Sequence, residues 1–223
     1  MREKIIESFK QPILKKNLFH LLIGGILMFF PIINFISLGY ISEKLRLGIL
    51  LEKKKLKWDE DIKTFFIKGI NLFILILGYF IIPFIFLFLG VYFISILSQG
   101  EIASLFLFRG IILIVLSTIL FLISLYFLLF GICIYLEENY SFKKGFNLND
   151  VLERIFLIPK DYIIVYIFVV GILLISIVIL TLLLNWVTGL LLSGFLLFYD
   201  LQVISNLLIK FYPRKSVNIQ LPL

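Results

Sequence analysis

The sequence contains one cysteine, one histidine and few charged residues. Cys133 has no second cysteine with which to form a disulfide inside the chain. His20 has no second histidine or cysteine placed to complete a metal site, so we expect no metal and no other cofactor. Only 16% of the residues are charged and 61% are hydrophobic. A soluble domain, which typically has about 45 to 50% apolar residues, is therefore excluded.

Long apolar runs fill most of the chain, and each exceeds the ~20 residues that a helix needs to cross a bilayer. Residues 162–209 are too long for one helix, and Asn185, Trp186 and Gly189 mark the turn inside this run. We therefore predict a single integral membrane domain over residues 1–223 that is all-α. It is a polytopic transmembrane helix bundle with four full spans, at about residues 70–97, 111–135, 162–184 and 187–209.

The first apolar run, residues 17–40, contains a break. Pro31 lacks a backbone donor and disfavours helical geometry at Phe30. We predict that residues 18–30 form a short helix, that the chain turns near Pro31 to Asn34, and that a second helix returns. This would be a broken or re-entrant hairpin instead of a fifth span. The alternative is a kinked full crossing that leaves the N-terminus outside.

Basic residues are distributed unevenly among the connections. Residues 41–69, residues 136–161 and the C-terminal segment are rich in Lys and Arg, whereas residues 98–110 and 185–188 are poor. The positive-inside rule therefore places the rich connections in the cytoplasm, with the protein in the cell membrane. The N-terminal segment is also basic, and the predicted hairpin would place it in the cytoplasm too.

Two of the basic connections contain amphipathic stretches, at about residues 57–69 and 146–158. We predict a cytoplasmic helix in each, with Asp59 capping the first and Asn149 the second. A run of lysines precedes the first helix. Either these lysines contact anionic headgroups or they only maintain the topology; they are Lys53, Lys54, Lys55 and Lys57.

Asp200 is an acid within the last apolar run. An ionisable group at such a depth costs free energy unless it is paired or hydrated. Helical spacing places it on one face with Gly189 and Ser193, and we expect this face to turn toward the bundle. One hypothesis is a polar or ion site in the membrane, formed by Asp200 and Ser193. The other is a structural hydrogen bond or a hydrated cytoplasmic funnel.

Several residues in the N-terminal third are not demanded by hydrophobicity. They form a double glycine, a P-I-x-N-F segment, a G-Y pair and a W-D pair before F-x-x-G: Gly24, Gly25, Pro31, Asn34, Gly39, Tyr40, Trp58, Asp59 and Gly69. In these motifs the chain resembles the DUF4013 family of prokaryotic integral membrane proteins. The resemblance implies a membrane architecture. It supplies no catalytic residues, because the family has no established activity.

The sequence contains no nucleophile elbow, phosphate loop, zinc motif or paired-carboxylate arrangement, so we expect no enzyme. The membrane accounts for the basic residues, so we expect no nucleic acid as a partner. The leading hypothesis is an accessory, scaffold or lipid-interacting membrane protein, with membrane lipids, a membrane protein or a second copy of the chain as partners. One alternative is a small transporter or channel subunit that uses Asp200, Pro83 and the hairpin. A lipid-processing membrane enzyme is another.

Overall fold

A computed structural model describes residues 1–52, 56, 58, 62–97, 103–183 and 187–213. All regular structure in this part of the chain is helical. A 3-10 turn, Gln11–Ile13, joins the first two α-helices. The helices are α1 (Arg2–Lys10), α2 (Lys15–Phe29), α3 (Asn34–Leu50), α4 (Ile62–Leu97), α5 (Ala103–Glu137), α6 (Phe142–Gly145), α7 (Leu148–Leu157), α8 (Pro159–Leu183) and α9 (Val187–Phe211).

Within the described residues, four helices are long and apolar enough to cross a membrane: α4, α5, α8 and, from Leu192 onward, α9. The predicted all-α bundle with four spans is therefore confirmed. The helices extend past the apolar runs that predicted them, since α4 begins at Ile62 and α5 at Ala103. Within the hydrocarbon a helix hydrogen-bonds the backbone groups that water cannot reach, and both helices continue beyond that region.

The amphipathic stretch at residues 57–69 does not form a separate helix. From Ile62 onward its residues belong to α4, which continues into the span without a break. No proline separates Ile62 from the apolar run, so nothing in the sequence ends the helix there. Asp59, the expected cap, lies outside the described residues.

Two glycines bring α3 and α4 into backbone contact. A Cβ atom at Gly39 would lie 1.7 Å from the backbone oxygen of Phe65, and one at Gly69 would lie 1.8 Å from that of Phe35. No side chain fits at either position. Gly69 therefore serves as a contact point between two helices and does not interrupt α4.

The second amphipathic helix is present as α7, but its cap differs from the prediction. The side-chain oxygen of Asn147 accepts a hydrogen bond from the backbone N–H of Asn149 at 3.2 Å. Asn147 also has the extended backbone of an N-cap residue, whereas Asn149 lies in the first turn. The two asparagines are close in sequence and equally suited to capping, so the pattern alone did not separate them.

The helices α2 and α3 form an antiparallel hairpin around a break at residues 30–33. The hydroxyl of Ser37 donates to the backbone oxygen of Gly24 at 3.0 Å, and the rings of His20 and Tyr40 stack with centroids 5.6 Å apart. One helix over the same residues would separate these two rings by about 30 Å along its axis. The predicted hairpin is therefore confirmed, while its depth in the bilayer stays a prediction.

The last helix, α9, contacts α1, α2, α3 and α8. Its contact with α2 depends on the double glycine, because a Cβ atom at Gly24 would lie 2.1 Å from the Phe198 ring and one at Gly25 would lie 2.3 Å from the Phe195 ring. Small residues at a helix interface let the two backbones approach closely. The N-terminal helices are thus assembled on α9.

Candidate functional site

Asp200 lies between α8 and α9, where it is 7% exposed. The hydroxyl of Ser176 on α8 donates to its Oδ2 atom at 2.5 Å. Asp200 therefore faces the bundle, and its hydrogen bond comes from another helix. Ser193, which we placed with it in one candidate site, is half-buried on α9. Sequence reasoning missed Ser176, because a single serine within an apolar helix carries no signal of its partner.

A stripe of polar side chains on α9 holds the N-terminal helix α1 in place. Spacings of three or four residues, or their multiples, put these side chains on one face of the helix. Three of them donate to α1: Tyr199 to the backbone oxygen of Phe9 at 3.0 Å, Asn206 to that of Ser8 at 3.3 Å, and Lys210 to that of Lys4 at 3.2 Å and to Glu7 Oε2 at 2.8 Å. The fourth, Gln202, accepts from Lys44 of α3 instead. We call Tyr199, Gln202, Asn206 and Lys210 the α9 stripe.

A cavity of about 820 Å³ lies beside the α9 stripe. It is bounded by α1 and the 3-10 turn, by both helices of the hairpin, and by α9. Most of its lining residues are polar, in contrast to the composition of the chain. The polar lining residues are Glu7, Gln11, Asn17, His20, Tyr40, Lys44, Glu52, Asn206 and Lys210.

Lys44 is the cation in this cavity that has no carboxylate beside it among the described residues. Its Nζ atom donates to the side-chain oxygen of Gln202, a neutral member of the α9 stripe. Burial lowers the pKa of Lys44 to about 8. Lys210, by contrast, forms an ion pair with Glu7 at 2.8 Å. Lys44 therefore supplies a charge that the described part of the cavity does not neutralise.

Three aromatic rings stack at one wall of the cavity. The Tyr40 ring lies between the His20 imidazole, at a centroid distance of 5.6 Å, and the Trp58 indole, at 4.0 Å. In the part of the chain that the structure describes, the Nδ1 atom of His20 is buried without a hydrogen-bond partner. No group of three or more His, Cys, Asp and Glu side chains among these residues is placed to hold a metal ion.

A second polar cluster joins α3, α4 and the turn after α5. Glu43 accepts hydrogen bonds from Lys68 at 2.6 Å and from the hydroxyl of Tyr140, and Arg46 lies 3.4 Å away. Burial acts to raise the pKa of Glu43, but the hydrogen bonds from Lys68 and Tyr140 and the charges of Lys68 and Arg46 outweigh it and lower the pKa. Tyr140 has a left-handed backbone, with φ 65°. This uncommon conformation for a bulky residue aims its hydroxyl at Glu43.

The residues that suggested a family have mainly packing roles in the described structure. The four glycines Gly24, Gly25, Gly39 and Gly69 are helix contacts. Pro31 lies in the break of the hairpin, and Asn34 begins α3. Tyr40 and Trp58 stack on each other. The lysines that either contact headgroups or only maintain the topology lie outside the described residues: Lys53, Lys54, Lys55 and Lys57.

A second cavity, of about 760 Å³, lies between α1 and α8. Its walls are mainly apolar and include Ile5, Ile6 and Phe9 of α1 and Phe168 of α8. Two cations, Arg2 and Lys10, are also among its lining residues. The helix α1 therefore separates two cavities of opposite character, one apolar and one polar.

Comparison with known proteins agrees with the motifs of the N-terminal third. The family model described as "Protein of unknown function (DUF4013)" matches residues 23–185. Comparison with curated proteins and with solved structures finds no significant match. The family match includes Tyr40 and Lys44 of the polar cavity but ends before Asp200 and the α9 stripe. Because the match covers most of the chain, the protein belongs to the DUF4013 family.

Proposed function

We propose that the protein is a non-catalytic accessory protein of the membrane that binds anionic lipids. The observation that carries the proposal is the apolar cavity between α1 and α8. Its apolar walls suit an acyl chain, and the charges of Arg2 and Lys10 suit a phosphate headgroup. A basic site of this kind beside apolar walls favours a lipid over a soluble apolar molecule.

The character of α1 supports the same proposal. Ile5 is buried against the bundle, whereas Ile6 is exposed, and α1 also carries basic residues. An amphipathic helix with this composition is typical of segments that lie at a membrane surface. The lysine run at residues 53–57 would add about 1 kcal/mol of attraction per lysine near an anionic surface.

Native mass spectrometry of the full chain tests lipid binding. The chain is purified in a maltoside detergent with phosphatidylglycerol and phosphatidylcholine in equal amounts, and retained lipids are counted. We expect the wild type to retain phosphatidylglycerol preferentially, and the double variant Arg2→Gln/Lys10→Gln to lose that preference. The matched control is Lys15→Gln/Lys63→Gln, whose side chains are exposed outside the cavity. Equal retention in all three proteins rejects the proposal.

The accessory role requires a partner in the membrane. An apolar groove of about 490 Å³ follows the exposed face of α4 and includes Leu77, Ile81, Phe84 and Phe88. Purification from native membranes in mild detergent, followed by mass spectrometry, tests this role. A membrane protein that co-purifies with the chain in a stoichiometric amount supports the accessory role, and its identity indicates the process in which the chain takes part. A lone chain or a homo-oligomer with a retained small molecule favours transport instead.

The buried pair of Asp200 and Ser176 favours a transporter or channel subunit as the second candidate. A carboxyl group held between two spans is a feature of proton and ion paths. Proteoliposomes loaded with a pH-sensitive dye test this function. Proton flux in the wild type that is lost in Asp200→Asn supports it, whereas a wild type without flux rejects proton coupling.

A further inference from the structure

We propose that the polar cavity bounded by α1, α2, α3 and α9 binds a small phosphate-bearing anion, with Lys44 as its principal ligand. The cavity is separate from the apolar one, because Glu7 and Gln11 line the former while Ile5, Ile6 and Phe9 line the latter. The proposal therefore does not depend on lipid binding beneath α1.

The charge of the cavity favours an anion. Lys44 is partly buried and is paired with the neutral side chain of Gln202. A buried cation without a counter-charge is costly, and a bound anion would recover that cost. Of the two carboxylates in the lining, Glu7 is already paired with Lys210, and Glu52 is exposed. The described interior of the cavity is thus left with a positive charge.

The available hydrogen-bonding groups favour phosphate among the anions. An ammonium group has three donors; the described contacts use one donor of Lys44 and two of Lys210. Both lysines therefore keep donors for a tetrahedral oxyanion, which Lys binds as a point charge. The buried Nδ1 atom of His20 adds a further polar group without a described partner.

The size of the cavity favours a phosphate ester over the bare ion. Sites for small molecules typically have about 300 to 1,000 Å³, and this cavity has about 820 Å³. The substituent would lie against the Tyr40 ring at the aromatic wall. The phosphate could belong to a soluble ester or to a lipid headgroup, since the chemistry that Lys44 recognises is the same.

Trp58 provides a local reporter of binding. It stacks on Tyr40, which lines the cavity. The chain has one other tryptophan, so Trp186→Phe leaves Trp58 as the single emitter. The full chain in maltoside micelles is titrated with glycerol 3-phosphate and, separately, with phosphatidylglycerol. We expect a saturable change in Trp58 emission with at least one of the two probes.

The variant Lys44→Met in the same background tests the ligand assignment. We expect at least a tenfold loss of affinity, with an unchanged or higher unfolding temperature in the absence of the probe, because a buried charge has been replaced by an apolar chain of similar length. The matched control Lys63→Met, an exposed lysine outside the cavity, should bind as the wild type does.

The outcomes separate the two sources of phosphate and the two cavities. A response to glycerol 3-phosphate assigns a soluble ester, and a response to phosphatidylglycerol alone assigns a headgroup; either supports the site. No saturable response to either probe overturns it, as does equal affinity of Lys44→Met and Lys63→Met. A response abolished by Arg2→Gln/Lys10→Gln, and not by Lys44→Met, places binding in the apolar cavity and also overturns the proposal.

Discussion

The phenol ring of Tyr40 lies flat on the indole of Trp58, with ring centroids 4.0 Å apart and an angle of 10° between the planes. Tyr40 belongs to α3, and Trp58 belongs to the connection that leads to α4. Both rings also lie near Phe198 of α9. The aromatic stack therefore joins the hairpin, the connection and the last helix. It also fixes the position of Tyr40 in one wall of the polar cavity.

Replacing Gly39 with alanine should destabilise the protein strongly. The new Cβ atom would lie 1.7 Å from the backbone oxygen of Phe65, so α3 and α4 would have to separate. Because backbone cannot yield as a flexible side chain does, we expect a loss at or above the upper end of the usual overpacking range of about 1 to 3 kcal/mol. Thermal unfolding in detergent measures it.

The control for Gly39→Ala is Gly171→Ala in α8. A Cβ atom at Gly171 would meet nothing within 4 Å, and alanine is favoured over glycine inside a helix by about 1 kcal/mol. We expect Gly171→Ala to unfold at an equal or higher temperature than the wild type. Similar unfolding temperatures for the two variants would contradict the close contact of α3 and α4.

The spans and the hairpin could be predicted from the sequence because hydropathy and a helix-breaking proline act locally. The apolar runs required helices wherever the chain crossed the membrane, and Pro31 marked the turn. The double glycine could be recognised as a motif, but its partners Phe195 and Phe198 are far away in the chain. No local pattern identifies which helix a glycine faces.

The polar cavity could not be predicted for a related reason. Its walls come from both ends of the chain, with Asn17 and His20 on one side and Asn206 and Lys210 on the other. Spacing shows that the α9 stripe occupies one helix face, yet an unpaired stripe of this kind could equally face water. Only the structure shows that side chains of the stripe donate hydrogen bonds to the backbone of α1 and hold that helix in place.

The substitution Glu43→Gln should destabilise the folded state. Glu43 is the common acceptor for Lys68 and Tyr140 and lies beside Arg46, so an amide would leave two partly buried cations without a counter-charge. Removing one member of a buried ion pair typically costs about 3 to 5 kcal/mol. Chemical denaturation in detergent measures the loss, and Tyr140→Phe, which keeps all the charges, should lose less.

The stability contributed by Glu43 should depend on pH. Burial acts to raise the folded-state pKa of Glu43, but the interactions with Lys68 and Tyr140 outweigh burial, so the pKa is lowered. A lowered pKa adds stability above the unfolded value of about 4.3, and this stability is lost as the pH falls through the folded value. The wild type should therefore exceed Glu43→Gln in unfolding temperature at neutral pH, and the difference should shrink below about pH 4. A constant difference would contradict this assignment.

Ser176→Ala and Asp200→Asn should have unequal effects on stability, although they alter the same hydrogen bond. Alanine at position 176 leaves the carboxyl group of Asp200 without its donor, and an unsatisfied buried polar group costs about 1 to 3 kcal/mol. Asparagine at position 200 keeps an oxygen that accepts from Ser176, so its cost should be smaller.

A double-mutant cycle of Ser176→Ala and Asp200→Ala, each of which removes the hydrogen bond, separates this bond from side effects at each site. If Asp200 is held by Ser176, the double variant should be less unstable than the sum of the single variants, with a coupling within the range of about 0.5 to 3 kcal/mol found for residues in contact. Denaturation of all four proteins in one detergent gives this coupling energy. Strict additivity would mean that the two side chains do not interact, and Asp200 would then need another partner, such as water or an ion.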